Sequence, residues 1–296
     1  MEAVIQKRKK PVTAKTVASK SAFYLLLVVL CVLFLFPIFW MVMNSMKPHA
    51  QIYADMNTFK TFLPSFHASE WFASYGELFT MFKYFGRSIL NSLIYCAVTI
   101  AGVLVVNSLA AYALSRFKFP GHKVLVTIIV LLLMIPVETS IVPQVIILRS
   151  LGLLKGNMRI LGYLIPAIVS PMYIFQFRSF FLGIPKELEE AAYIDGCGRF
   201  KTFFRVIVPC SMPVFATVAI FTFMGQWNEY VFANYMFAAK ESFKPLQVFL
   251  QLVNTHNPQD LSCTLAALTF GTVPIAIVYI FFQRWIIEGV AFSGLK

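Results

Sequence analysis

The residues of this sequence that could do chemistry fall into three sets. One is an acidic and small-residue run, Glu187, Glu189, Glu190, Ala191, Ala192, Asp195 and Gly196, which passes into a basic and aromatic stretch ending at Ile207 and Pro209. A second is a pair of carboxylates in apolar sequence: Glu138, just after Pro136, and Glu229, inside Trp227-Asn228-Glu229-Tyr230. The third is the 4 His and 5 Cys. This third set forms no catalytic or metal-binding pattern. Cys31, Cys96, Cys197, Cys210 and Cys263 are never closer than 13 residues, and His49, His67, His122 and His256 are scattered. The close pairings that zinc or redox chemistry uses are therefore missing. The sequence also has no Gly-x-x-x-x-Gly-Lys-Ser/Thr, His-Glu-x-x-His or Gly-x-Ser-x-Gly run, the spacings that hold a nucleotide phosphate, a catalytic zinc or a serine nucleophile. We expect no enzyme here, and no metal or cofactor held by this chain.

The other two sets must be positioned by a membrane. Hydrophobic residues make up 59% of the chain and charged residues 13%, with a mean hydropathy of +0.75. A soluble domain carries roughly a quarter charged residues. A span needs about 20 mostly apolar residues. Six stretches qualify: about 21–43, 88–114, 123–148, 160–182, 208–233 and 262–287. The expected fold is thus an all-α membrane protein of six transmembrane helices, with a basic tail at 1–20 and a six-span domain at 21–296. The first run is longer than the roughly 7–15 residues of a signal-peptide core and reads as a retained anchor. Pro136 and Pro143 interrupt the third span, and Pro166 and Pro171 the fourth. Prolines free backbone groups and predict kinks there.

An even number of spans puts both termini on one side. With the N-terminus cytoplasmic, the inner segments hold Lys7, Arg8, Lys9, Lys10, Lys15 and Lys20, then Arg116, Lys118 and Lys123. They also hold Arg178, Lys186, Arg199, Lys201 and Arg205, then Arg284 and Lys296. Most of the 25 Lys and Arg then lie inside, although the outer segments are longer. That asymmetry favours cytoplasmic N- and C-termini. It explains much of the +12 net charge by lipid-facing topology, with no nucleic acid partner. The long outer segment 44–87, rich in aromatics from Trp71 to Phe85, reads as an interfacial helix or packed cap.

Between spans four and five, Pro185 suits a first helical turn, and Glu187, Glu189 and Glu190 lie near the positive end of the helix dipole. Ala191 and Ala192 favour helix with a thin surface. Gly196 can adopt the left-handed conformation of a helix C-cap. A second helix starts near Arg199, with Phe200, Phe203, Phe204 and Ile207 at helical spacing. From the residues alone the loop is either a helix that fits a groove on a soluble partner or an ordinary capped connector. Ionisable groups within spans are rare. Glu138 and Glu229 either reach the outer interface or line a water-filled cavity, where a carboxylate accepts hydroxyl hydrogen bonds. Asn91, Asn107, Gln226 and Asn228 can serve as path residues or as hydrogen-bonding glue between helices. Trp227 and Tyr230 can stack on a ring or form an interfacial belt.

The set Glu190-Ala191-Ala192, Asp195-Gly196, Ile207 and Pro209 resembles the EAA loop of MetI-like, binding-protein-dependent ABC-importer permeases. Cys197 stands where that family often has a smaller residue. Ala111 to Phe117 with Pro120-Gly121, Met134-Ile135-Pro136, Ile141-Val142-Pro143, Leu151-Gly152-Leu153 and Trp227-Asn228-Glu229-Tyr230 resemble the carbohydrate group of these permeases. So does the ending Glu288 to Lys296, and the whole is similar to the smaller maltose permease subunit. The resemblance implies a permease subunit that carries a sugar, in all expectation an oligosaccharide, through a bacterial or archaeal cell (inner) membrane. It implies a second homologous permease subunit, two nucleotide-binding ATPase subunits that bind ATP and Mg, and an extracytoplasmic solute-binding protein. It makes 183–207 the coupling loop, with Glu190, Ala191, Ala192, Asp195, Gly196, Ile207 and Pro209 meeting the ATPase. Gly289, Gly294 and Lys296 form a further ATPase contact. Glu138, Trp227, Asn228, Glu229 and Tyr230 are the substrate-path candidates. The alternatives are a permease of this type for another solute, or a secondary transporter. The latter would favour buried acid or His relays and inverted repeats, which the sequence does not display.

Overall fold

The computed structural model describes residues 14–256 and 260–294. The described residues form helices joined by turns, without a strand. In order these are α1 (Ala14–Ser45), α2 (His49–Asp55), α3 (Ala73–Met81), α4 (Phe85–Arg116), α5 (His122–Leu132), α6 (Val137–Ser150), α7 (Met158–Ile168) and α8 (Pro171–Leu182). There follow α9 (Glu187–Ile194), α10 (Arg199–Thr202), α11 (Val208–Cys210), α12 (Met212–Asn228), α13 (Val231–Phe237), α14 (Leu246–His256) and α15 (Leu261–Gly294). Among the described residues, four stretches are long and apolar enough to cross a membrane: Lys20–Ser45, Phe85–Arg116, Met158–Leu182 and Leu261–Trp285. The count rises to six if each of two bent pairs is one span: α5 with α6, bent by 108°, and Arg199–Cys210 with α12, bent by 80°.

Proline chemistry accounts for the breaks. Pro136 precedes α6, and the residue before a proline is driven out of helical geometry. Ser170, before Pro171, is extended in the same way, which separates α7 from α8. A break inside a membrane exposes backbone groups that lipid cannot satisfy. Asn107 of α4, fully buried, satisfies this one. Its amide donates to the Ile168 carbonyl at 2.7 Å and to Val103 at 2.8 Å, and its oxygen accepts from the Ser170 N–H at 2.9 Å. Gly102, one turn earlier on α4, lets Ile168 come close; a Cβ there would lie 2.7 Å from the Ile168 side chain.

The chain divides into two compact units, Met1–Tyr75 with Asp260–Thr269, and Gly76–Gln259 with Phe270–Lys296. In the first, α1 exposes its apolar side chains from Phe23 to Phe39 and is tied down at its far end. There the Trp40 indole donates to Thr61, and Asn44 donates to the carbonyls of Trp40 and Thr61. Lys47 is fully buried, pairs with Asp55 at 3.1 Å and donates to the Lys60 carbonyl at 2.7 Å. In the second unit, α4 is the central helix, packed by α7, α8 and α12. Its lower core joins Tyr112 and Leu114 of α4 to Phe177 and Phe181 of α8, and to Phe203 and Ile207. A separate cluster joins Tyr95, Tyr163, Met236 and Phe237.

Candidate functional site

α8 ends at Leu182, and the chain turns through Gly183, buried Ile184 and Pro185 into α9. α9 has 8 residues, fewer than the roughly 12–15 that an isolated helix needs to be stable in water. Its orientation must therefore come from tertiary contacts. Glu189 and Ala192, three apart and on one face, are buried. Glu189 meets Arg116, the last residue of α4, with Oε1 at 2.5 Å from Nε, and both side chains are almost wholly enclosed. Its other oxygen accepts from the Tyr112 hydroxyl at 3.2 Å. The same guanidinium donates to the Ile184 carbonyl at 3.0 Å. One arginine thus holds both the entry to α9 and its first turn.

α9 closes in a Schellman arrangement. The Cys197 N–H donates to the Ala192 carbonyl at 2.9 Å and the Gly196 N–H to Tyr193 at 3.0 Å. Gly196 sits at φ +76°, the left-handed region that glycine enters without steric cost. α10 follows, then a π-helical turn at Phe203–Ile207, in which the Val208 N–H donates to the Phe203 carbonyl. Pro209 and Pro213 have no N–H to continue the ladder, and the chain bends beside them into α12. Phe203 and Ile207 are buried in the lower core. The Arg199 guanidinium lies 4.7 Å from the centre of the Phe117 ring.

The opposite face of this loop is open. Glu190, Ala191, Asp195 and Gly196 are exposed. Around them stand exposed large apolar side chains: Leu188, Phe204, Phe200 at 73% and Ile194 at 86% exposure. Scattered exposed apolar residues are ordinary, but a group of them on one short loop marks an interaction surface. Of the coupling set, the structure thus puts Glu190, Ala191, Asp195 and Gly196 on one open face. Ala192 and Ile207 are on the inner side, and Pro209 is exposed at the bend.

The substrate-path candidates are less alike. Trp227 is 1% exposed, donates to the Gly271 carbonyl at 2.9 Å and stacks on Phe223. Glu229 ends α12 and caps α13, both of its oxygens accepting backbone N–H bonds, from Phe232 and Ala233 at 2.7 Å each. Tyr230 packs against the Tyr163 cluster. Asn228 is exposed and receives a bond from Gln247 at 3.2 Å. Glu138 is exposed in the first turn of α6. Gly289 and Gly294 lie on the α15 backbone, which stays helical through Gly294; Lys296 lies outside the described residues.

The sequence reading missed Arg116 and Tyr112 as partners of the loop and did not separate the roles of Glu189 and Glu190. One available signal was period: Glu189 shares a face with Ala192. The pairing itself joins positions 77 apart in the Tyr112 case, and no local pattern encodes that.

Known proteins resemble this chain. Residues 104–291 match the family described as binding-protein-dependent transport system inner membrane component. The probable ABC transporter permease protein YurM of Bacillus subtilis is 32% identical over 262 residues, covering 88% of this chain and 83% of that protein. The arabinooligosaccharides transport system permease protein AraQ of the same organism is 28% identical over 277 residues, with 93% and 95% covered. A solved chain from a bacterial ABC transporter involved in the import of the acidic polysaccharide alginate superposes with a TM-score of 0.79 at 23% identity. It covers 93% of this chain and 99% of that one, and the likeness speaks to the fold.

Proposed function

Since this chain belongs to the family of inner membrane components of binding-protein-dependent transport systems, that is, the ABC-importer permeases, we propose that it forms half of the path by which an oligosaccharide enters the cell. Its relatives include a permease for arabinooligosaccharides, which supports the carbohydrate reading. A second permease subunit completes the path, an extracytoplasmic binding protein delivers the sugar, and two ATPase subunits bind ATP and Mg on the cytoplasmic side of the inner membrane. The ATPase activity belongs to those subunits.

The observation that carries this reading is the two-faced loop. Its inner face is bolted to α4 through Arg116, Glu189 and Tyr112. Its outer face offers Glu190, Ala191 and Asp195 among bare apolar side chains, a shape that suits a cleft on an ATPase. Gly289, Gly294 and Lys296 are proposed as a further ATPase contact. Glu138 and Asn228, both exposed, are the proposed sugar-facing groups. Trp227, Glu229 and Tyr230 would shape the path from behind. The experiment is affinity purification of the tagged chain from membranes that express its transport system. An ABC ATPase and a second permease should co-purify, and sugar bound to the isolated binding protein should match the sugar taken up. A chain that purifies without an ATPase would overturn the reading.

A further inference from the structure

Glu189 and Glu190 are neighbours with opposite surroundings, one enclosed and ion-paired, the other open. An enclosed ion pair is a costly way to hold two helices together. Well-packed apolar residues of similar size often give equal or better stability, and retained charge then serves to fix one arrangement over others. Here the arrangement is directional. Arg116 ends α4, the helix around which α7, α8 and α12 pack. Its guanidinium grips α9 at two points, the Glu189 carboxylate and the Ile184 carbonyl. Tyr112, one turn back on α4, holds the second carboxylate oxygen and lies with its ring centre 5.1 Å from that of Phe203, on the returning limb of the loop. Among the described residues this is the ion pair that joins α9 to a span. Apolar packing beside it can slide, whereas an enclosed guanidinium held at two points, a carboxylate and a carbonyl, resists both translation and rotation.

We propose that the Arg116–Glu189 pair, with Tyr112, is the positioning link that carries movement of the docked loop into the membrane helices, separate from the surface that docks. The proposal rests on the ATPase-docking reading above. It predicts that docking and transmission can be uncoupled by substitution.

The test uses the full chain, purified with the ATP-hydrolysing subunits that accompany it, with exposed Cys31 and Cys210 changed to Ser. Val231→Cys, at the exposed start of α13, reports movement through its rate of labelling by a maleimide dye, with and without ATP plus vanadate. Glu189→Gln removes the charge and keeps the shape. The double variant Arg116→Met with Glu189→Leu leaves no orphaned charge and should fold even where a single change does not. Both should retain the ATPase at the parent ratio, while the ATP-dependent change in labelling shrinks by about fivefold or more, the lower end of ordinary coupling strengths. An unchanged response in the double variant, with ATPase retained, would overturn the link and leave the docking reading standing. Loss of the ATPase from both variants would also overturn it, since docking and transmission would then be one function. An unsubstituted parent chain that retains no ATPase defeats the docking reading and the link together.

Discussion

At the α9 loop, a carboxylate is enclosed by the protein so that its neighbour can face outward. At the turn between α12 and α13, the carboxylate and its neighbouring indole are both turned inward. Glu189 is held by Arg116 and Tyr112 while Glu190 stays open. Glu229 caps α13 with both oxygens, and Trp227 is sealed against Gly271 and Phe223. The two regions look alike in sequence, each an acid beside apolar or aromatic residues, yet one builds a surface and the other builds a core. The lesson is that a recognisable signature locates an important place without saying which of its side chains meet the outside.

The contrast can be broken most forcefully at Trp227. Trp227→Ala should destabilise the chain by about 3–5 kcal/mol, the cost of emptying a large core site, read by thermal unfolding in detergent. Lost sugar uptake with unchanged unfolding would instead make Trp227 a path residue. Glu229→Ala leaves two backbone N–H groups of α13 without an acceptor and should cost about 1–3 kcal/mol. If uptake falls while α13 keeps its amide-exchange protection, Glu229 faces the sugar and the contrast fails.

Asn107 sharpens the comparison, because it is a polar group deep in a span that the structure uses for neither surface nor path. Asn107→Ala should cost about 1–3 kcal/mol through the orphaned Ile168 and Ser170 groups. Loosening at the α7–α8 break should be visible as faster hydrogen exchange at Ser170. Unchanged exchange there would mean that the break satisfies itself.

How much of this was legible in the sequence varies from residue to residue. The helix from Glu187, its end at Gly196 and the restart at Arg199 follow from local rules: acid at the N-terminal turn, a glycine able to take positive φ, aromatics at helical spacing. The prolines announced the breaks at Pro136 and Pro171, but not the 108° angle between α5 and α6, which depends on backbone torsions over several residues. The π turn at Phe203–Ile207 has no sequence rule. The inward aim of Trp227 depends on Gly271, far along the chain, where the lack of a side chain belongs to a close approach to α14: a Cβ there would sit 2.8 Å from Leu250. Long-range pairings of this kind, Arg116 with Glu189 included, are set by packing.

The smallest expected effect is on pH. Asp260 caps α15, accepting from Ser262 at 2.7 Å and from the Cys263 N–H at 3.2 Å. Burial pushes its carboxyl upward, but these bonds and the nearby His49 outweigh that and leave it below its ordinary 3.8. A lowered carboxyl contributes stability that is complete above about pH 4 and is lost as pH falls through the lowered value. Asp260→Asn should remove that acid dependence of unfolding and lower stability slightly near neutrality, where the charged carboxyl contributes in full. An undiminished acid dependence in Asp260→Asn would assign it to other carboxyls.

The open face of α9 is the central claim, and retention of the ATPase by the tagged chain tests it most directly. Glu190→Lys changes only an exposed side chain and should leave unfolding within about 0.5 kcal/mol of the parent. Gly196→Asp forces a side chain into the left-handed turn at φ +76°, at a cost of roughly 1–2 kcal/mol. Both variants should stay folded in the membrane and lose the ATPase on purification. Folded variants that keep it at the parent ratio and transport at the parent rate would contradict the account.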